Sequence, residues 1–254
     1  MLRFDLEDRV VIVTGGGQGL GRAYCKGFGS QGARVAVADI DGEKAAQVAE
    51  EVRSAGGQAV PVTVDVADEA SVASMAEAVV EQLGLPSVLV NNAAVFSTLH
   101  LKPATEISVK EWDRVMAVNV RGVFLCARAV IPAMAAAGYG KIVNLSSSTV
   151  WIGRPNYLHY VTSKAALIGL TRALASEVGP LGIRVNAITP GATVTEVPRE
   201  TVQAGQLQAI VAQTALGRAE VPEDLVGTVL FLASPASDFI TGQTFNVDGG
   251  QAFH

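Results

Sequence analysis

Seven short apolar runs, interleaved with stretches of helical patterning, recur from one end of the chain to the other, and this alternation limits the possible folds more than any other feature. The runs fall at residues 10–13, 34–39, 58–64, 87–90, 141–145, 184–188 and 244–247. Helical patterning falls at 20–31, 43–54, 69–83, 110–136, 157–178 and 223–232. A strand buried on both faces reads as a continuous apolar run, as a parallel sheet between two helical layers requires. Repeated strand–helix units therefore predict an α/β fold: one domain over 1–254, built as a doubly wound parallel sheet of about seven strands with helices on both faces. No linker, repeat or low-complexity tract interrupts the pattern. Residues 191–218 lack strand character and are too long for a plain connection, so they read as a lid, with a short amphipathic helix over 201–213.

Composition excludes several classes. Hydrophobic residues make up 49% of the chain and charged residues 17%, the reverse of a disordered sequence. A net charge of -5 without a dense Lys/Arg cluster gives no reason to expect nucleic acid. The two cysteines, Cys25 and Cys126, lie outside any CxxC spacing, so neither a disulfide framework nor a zinc site is expected. His100 and His254 have no acidic or cysteine neighbours at ligand spacing, and no metal is expected. The charged start, Leu2-Arg3-Phe4-Asp5, is unlike a secretory signal, and no uninterrupted apolar run reaches the ~18 residues of a membrane span. These readings predict a cytoplasmic protein without a membrane partner.

Between the first strand and the first helix stands Thr14-Gly15-Gly16-Gly17-Gln18-Gly19-Leu20-Gly21. Glycines allow a tight turn and a close approach of phosphate oxygens to the main chain, and the helix start offers free N–H groups. Asp39 ends the second strand at about the ~20-residue spacing of an acid that accepts hydrogen bonds from an adenosine ribose. Such a carboxylate repels a 2′-phosphate, and neither Gln18 nor Ile40 brings a positive charge to offset it. Arg34 begins the same strand and belongs at its far end. NAD is expected in preference to NADP.

Tyr160 and Lys164 stand four apart on a predicted helix and share a face. An ammonium beside a phenol favours the phenolate, which predicts a Tyr160 pKa lowered from ~10 toward neutrality and a tyrosine able to exchange a proton with an alcohol or ketone. Ser147 follows an apolar strand, where its hydroxyl can polarise the same oxygen. Tyr157 and His159 are also near, but four residues beyond them stand Val161 and Ser163 rather than lysine. They read as pocket walls.

The run from Tyr160 to Lys164 resembles the YxxxK signature of the short-chain dehydrogenase/reductase family. Residues 14–21 resemble that family's TGxxxGxG turn, Asn91-Asn92-Ala93-Ala94 its NNAG motif, Asn144-Leu145-Ser146-Ser147 its serine-bearing strand end, and Pro190-Gly191 with Thr195 the segment before its substrate lid. Asn119 falls where the family has a catalytic asparagine. The likeness spans about residues 8–250. It implies that Tyr160 is the general acid/base and that Ser147 orients the substrate oxygen. It implies that Lys164 tunes Tyr160 and holds the nicotinamide ribose, while Asn119 fixes a helix distortion and a water leading to Lys164. For the cofactor it implies Gly15, Gln18, Gly19, Leu20 and Gly21 at the phosphates and Asp39 and Ile40 at the adenosine ribose. Asp65 and Val66 would meet the adenine, Asn92 would lie beneath the cofactor, and Pro190, Gly191, Thr193 and Thr195 would meet its carboxamide end. Ala94 departs from the family's usual glycine and narrows the nicotinamide pocket by a methyl group.

The expected activity is hydride transfer between NAD and a secondary alcohol or ketone. Val95, Phe96, Trp151, Ile152, Tyr157 and Leu158 would surround the reacting carbon, which suits an apolar or aromatic substituent, and the 151–164 stretch resembles 1-phenylethanol-type members. A 3-oxoacyl reductase is the alternative within the family. A non-catalytic NAD sensor is the alternative in another class, against which the full set of Ser147, Tyr160 and Lys164 speaks. A homotetramer is expected, because Val115, Val118, Val123, Phe124, Leu125, Val130, Leu167, Ile168, Leu170 and Leu174 on two helices exceed what one sheet face can cover.

Overall fold

The computed structural model describes residues 4–199 and 205–253. Seven strands form one sheet: β1 (Val10–Thr14), β2 (Arg34–Asp39), β3 (Gln58–Thr63), β4 (Val88–Asn91), β5 (Gly140–Leu145), β6 (Ile183–Pro190) and β7 (Thr244–Val247). Their spatial order is β3-β2-β1-β4-β5-β6-β7, and every neighbouring pair is parallel. This is the doubly wound Rossmann arrangement expected from the alternation of runs. The chain leaves β1 toward β2 on one side and returns beyond it to β4, so the order reverses between β1 and β4. Crossover helices diverge at such a point and leave a crevice above the strand ends.

The helices are α1 (Gly19–Ser30), α2 (Gly42–Ser54), α3 (Glu69–Leu83), α4 (Val109–Met116), α5 (Gly122–Ala136), α6 (Thr149–Ile152), α7 (Leu158–Val178), α8 (Gln206–Gln213) and α9 (Pro222–Ala233). Two apolar layers sandwich the sheet. On one face Val11 and Val13 of β1 pack with Tyr24, Phe28, Val48, Leu225 and Val229 of α1, α2 and α9. On the other, Ile12 and Leu89 pack with Met75, Val79, Val130 and Met134 of α3 and α5. Alternate residues of β1 thus feed opposite cores, and each fully buried Val, Leu or Ile contributes roughly 1.5–3 kcal/mol. Asp41, Asp68 and Ser108 start α2, α3 and α4 by accepting the N–H groups of Lys44, Ser71 and Glu111.

The expected helix over 110–136 is not one uniform helix. A π-helical turn at Ala117–Arg121 separates α4 from α5. Val109–Ala136 as a whole is long and apolar enough to cross a membrane. Here it is a core helix: Val115, Val123, Leu125 and Val130 are buried, and Arg121 and Arg128 bond outward to the Ala67 carbonyl and Glu69. The helix expected over 201–213 is seen as α8; Thr201 and Val202 lie outside the described residues.

Candidate active site

The carboxyl ends of the strands open into a cleft of about 830 Å³. Gly15, Gln18, Gly19, Leu20, Asp39, Ile40, Asp65, Val66, Asn92, Ser147, Tyr160, Lys164, Pro190, Gly191, Thr193 and Thr195 all line it. Residues spread over 180 positions of sequence thus meet because parallel strands end at one level. Two expected site residues stand behind its wall: Gly21 and Asn119.

The glycine turn is shaped by contacts that exclude side chains. Gly15 and Gly19 have φ of +63° and +55°, a left-handed backbone that favours glycine. A Cβ on Gly21 would lie 2.0 Å from the Gly15 carbonyl oxygen, so Gly21 seats α1 tightly against the turn. Asn92 closes the turn from β4, donating to the carbonyls of Thr14 and Gly15 at 3.0 and 2.9 Å. Asp39 accepts the Gly17 N–H at 2.9 Å and the Asp41 N–H at 3.0 Å, which fixes its carboxylate at the mouth of the turn. Arg34 does lie at the far end of β2, donating to the carbonyls of Asp8 and Leu83. The ribose end is less bare of cations than the sequence reading held: Lys44 Nζ donates to the Gln18 side-chain oxygen at 3.0 Å and sits 3.4 Å from Asp41. Its position in the first turn of a helix that starts three residues beyond the end of β2 was the available signal.

The first N–H of α1 is already engaged by an anion. Gly19 N–H donates to Glu196 Oε1 at 2.9 Å, and Arg22 approaches the same carboxylate at 4.0 Å. Burial pushes the Glu196 carboxyl up, but the Gly19 N–H, its own backbone N–H and Arg22 together outweigh it and hold it below its ordinary value. An anion is thus stable where the helix dipole and a free N–H meet.

At the other end of the cleft Tyr160 lies on α7, one turn before Lys164. Ser147 stands near enough to Tyr160 to favour its ionised form, and accepts the Thr149 hydroxyl at 2.9 Å. Lys164 is buried, donates to the Leu145 carbonyl at 2.7 Å, and its Nζ stands 5.7 Å from the centre of the Tyr160 ring. The electrostatics depart from expectation. Burial pushes the Tyr160 phenol above its ordinary value; Ser147 and the charges of Arg199 and Arg154 pull it back only in part. Burial also brings the Lys164 ammonium down, to about 7. Two arginines therefore do part of the work that the spacing argument gave to the lysine.

Asn119 sits in the π-helical turn, wholly buried. Its Oδ1 accepts the Val95 N–H at 2.8 Å, and its amide donates to the Val95 carbonyl and Ser163 Oγ at 3.2 and 3.1 Å. It ties the chain after β4 to α7 beside the tyrosine. A buried ladder runs parallel to it: Asn91 donates to Asn144, and Asn144 to Thr171.

The pocket walls differ in part from the expected set. Val95, Phe96, Ile152 and Tyr157 line the cleft, but Trp151 and Leu158 do not. The Trp151 indole N–H turns to Thr189 Oγ1, and Leu158 is exposed. His159 is no wall either, since it is buried toward α4 with Nε2 3.2 Å from Glu111. Tyr157 stacks on Tyr160 with 4.5 Å between ring centres and donates to the Phe96 carbonyl.

A family model described as enoyl-(acyl carrier protein) reductase, adh_short_C2, matches residues 15–252. A probable galactose dehydrogenase of Rhizobium meliloti is 42% identical, with 97% of this chain and 96% of that protein covered. The chain belongs to the short-chain dehydrogenase/reductase family. A cyclopentanol dehydrogenase of Comamonas is 38% identical over 96% of this chain and 97% of its own length. A 3-ketoacyl-(acyl-carrier-protein) reductase from Brucella melitensis, solved with NADH, superposes with a TM-score of 0.91 at 34% identity, covering 98% of this chain and 100% of that one. As a member of this family the protein is an oxidoreductase that takes a nicotinamide cofactor and a small-molecule substrate.

Proposed function

We propose that this dehydrogenase oxidises a secondary alcohol, or reduces the matching ketone, with NAD as its cofactor. The observation that carries this reading is the placement of Ser147, Tyr160 and Lys164 together in the lining of the cleft. The residues present fit a dinucleotide. The Glu196 carboxylate on the Gly19 N–H shows that the start of α1 accepts an anion, and Gly15 lets the turn pack against the chain after β4, where a Cβ would lie 2.8 Å from the Ala93 Cα. When bound, the nicotinamide supplies a carbon that accepts hydride from the carbinol carbon.

The chain's own residues do the rest. Gly15, Gln18, Gly19 and Leu20 hold the phosphates, while Gly21 acts through the packing of α1. Asp39 and Ile40 receive the adenosine ribose; Asp65 and Val66 flank the adenine; Asn92 supports the cofactor from below. Pro190, Gly191, Thr193 and Thr195 hold the carboxamide end, and Tyr160 and Lys164 the second ribose. Ser147 donates to the substrate oxygen. Tyr160 takes the hydroxyl proton as hydride leaves, and returns it in the reverse direction. Lys164, anchored by the Leu145 carbonyl, is the basic group one step behind Tyr160. Asn119 positions α7 and keeps the π-helical turn open beside it.

A second reading, reduction of a 3-oxoacyl thioester, gains from one observation: the Brucella relative of that type was solved with NADH, so a preference for NAD does not count against it. One panel tests both. Secondary alcohols with NAD and NADP, and an acetoacetyl thioester with NADH and NADPH, should give faster turnover with the non-phosphorylated cofactor. NADP-only turnover would defeat the Asp39 argument, and turnover of the thioester alone would select the second reading. We further propose one functional domain over 1–254, a cytoplasmic location and a homotetramer.

A further inference from the structure

Glu220 is an acid to which the proposed chemistry gives no role. It stands two residues before α9, where its main chain forms an isolated parallel bridge with Thr193 and its carbonyl accepts the Val194 N–H at 2.8 Å. Its side chain turns to the same segment, and Oε2 accepts the Thr193 hydroxyl at 3.0 Å. The fit around Gly191 is close: a Cβ there would lie 3.0 Å from both Glu220 Oε2 and Asp248. The other carboxylate oxygen, Oε1, is buried without a hydrogen-bond partner among the described residues. Gly191 and Thr193 line the cleft, and Glu220 stands behind them. A carboxylate is thus set against the two residues to which the proposed function gives the nicotinamide end of the cofactor.

We propose that Glu220 is a positioning residue for the cofactor, and that its charge behind Gly191 and Thr193 makes the cleft hold oxidised nicotinamide more tightly than reduced. The oxidised ring is positive and the reduced ring is neutral, so a fixed anion at this end discriminates between them by charge. An ionised Glu220 can only accept, so the Thr193 hydroxyl spends its proton on it and keeps a lone pair for the cleft; a protonated Glu220 can donate instead and turn that hydroxyl around. Burial pushes the Glu220 carboxyl up to about 7; Thr193 and the Gly191 amide pull it down in part, and the charges of Asp224 and Asp248 push it up. Three further groups feel its charge. Tyr24 of α1 stays neutral, its phenol held well above the ordinary value chiefly by burial. Arg199 and Arg218 keep their charge through the neutral range. A positive ring nearby favours the ionised form, so binding of oxidised cofactor releases the Glu220 proton to solvent. Affinity for NAD relative to NADH therefore rises as pH rises through about 7. Lys164, which lines the cleft from α7 and also titrates at about 7, pushes in the same direction, so the test removes it.

This rests on the proposed cofactor binding, and titration without substrate separates the two. NAD and NADH are titrated into the native protein, Glu220→Gln, Lys164→Met and the double variant between about pH 6 and 8.5. The ratio of the NADH to the NAD dissociation constant is followed, which cancels any common effect of a variant on the fold or on the ribose contacts. In the native protein the ratio should rise with pH by about 3- to 10-fold, the scale of one charge pair partly screened by solvent. In Lys164→Met it should still rise by about 3-fold or more, in Glu220→Gln it should rise less than in the native protein, and in the double variant it should be flat. Where NADP and NADPH bind better, their ratio serves, since the ring charges are the same. A flat ratio in Lys164→Met, or equal rises in the native protein and Glu220→Gln, would overturn the inference and leave the cofactor reading standing. Should Glu220→Gln fail to fold, Lys164→Met decides alone. A native protein that binds no nicotinamide dinucleotide would defeat the cofactor reading and this inference with it.

Discussion

Lys164 is a lysine that the fold keeps out of water, and it shows how a functional residue works against stability. Its folded pKa lies at about 7, against ~10.4 for an unfolded lysine. Between those values the unfolded chain binds more protons, so this group makes the protein more stable as pH rises from about 7 toward 10 and less stable below 7. Lys164→Met should raise the melting temperature of the cofactor-free protein at pH 6 by about 4 °C or more, the gain shrinking toward pH 10, while activity is lost. A lower melting temperature at every pH would show that the bond to Leu145 outweighs the burial. Asp39 supports a second prediction at this scale: Asp39→Ala with Ile40→Arg should shift preference toward NADP by about 10-fold or more, since a repulsive charge is exchanged for an attractive one. An unchanged ratio in cofactor titration would point to Lys44 as the group that sets it. Tyr160, Lys164, Ser147 and Asp39 were legible because their spacing is fixed by local geometry: one helical turn, or one strand end. Arg154, Arg199 and Glu196 were not, because each stands in an irregular segment, and no periodicity says which way a loop residue points.

At the scale of elements the strands were read closely, since a strand covered on both faces has little freedom in its composition. The composition over 110–136 is helical throughout and shows no break, so only the family resemblance pointed to a distortion at Asn119. The π-helical turn there is imposed by Asn119 bonding to Val95 and Ser163, contacts with partners 24 and 44 residues away, which no local pattern contains. The segment after β6 carries Thr193, Thr195, Glu196 and Arg199, and so touches both halves of the cleft. On the proposed function, Glu196 occupies an N–H that would meet a cofactor phosphate. Glu196→Gln should therefore tighten NAD binding by about 3-fold or more, as a competing anion is removed from the dipole; weaker binding would show instead that the carboxylate supports the turn. Amides of 191–199 and 205–218 should exchange more slowly when NAD and a substrate analogue are added together, and equal protection in free and ternary states would make this segment a fixed wall.

The whole molecule leaves apolar surface to cover, although less of it than the sequence suggested. Val115, Val123, Leu125, Val130, Leu167 and Ile168 are buried within the chain, so they are not the free surface they were expected to supply. The exposed apolar residues among those described include Phe124 on α5, near the open backbone at Gly169 on α7, and Phe239 and Phe253 on either side of the half-buried edge strand β7. The proposed homotetramer would use the α5–α7 face at one two-fold axis and the β7 edge at a second. Light scattering at micromolar concentration should give four times the chain mass of 26.3 kDa; a dimer would assign one patch only, and a monomer would refute the arrangement. The catalytic claim is likewise about the assembled cleft, where strand ends, glycine turn and α7 would bring a hydride acceptor to the carbinol carbon and a proton acceptor to its oxygen. Its most direct test is Tyr160→Phe. NAD-linked turnover of whichever alcohol the native protein uses best should fall by about 1,000-fold or more, while NAD binding, followed by titration, stays within about threefold, since only the proton acceptor is gone. A Tyr160→Phe protein that still oxidises that alcohol at the native rate would contradict the account.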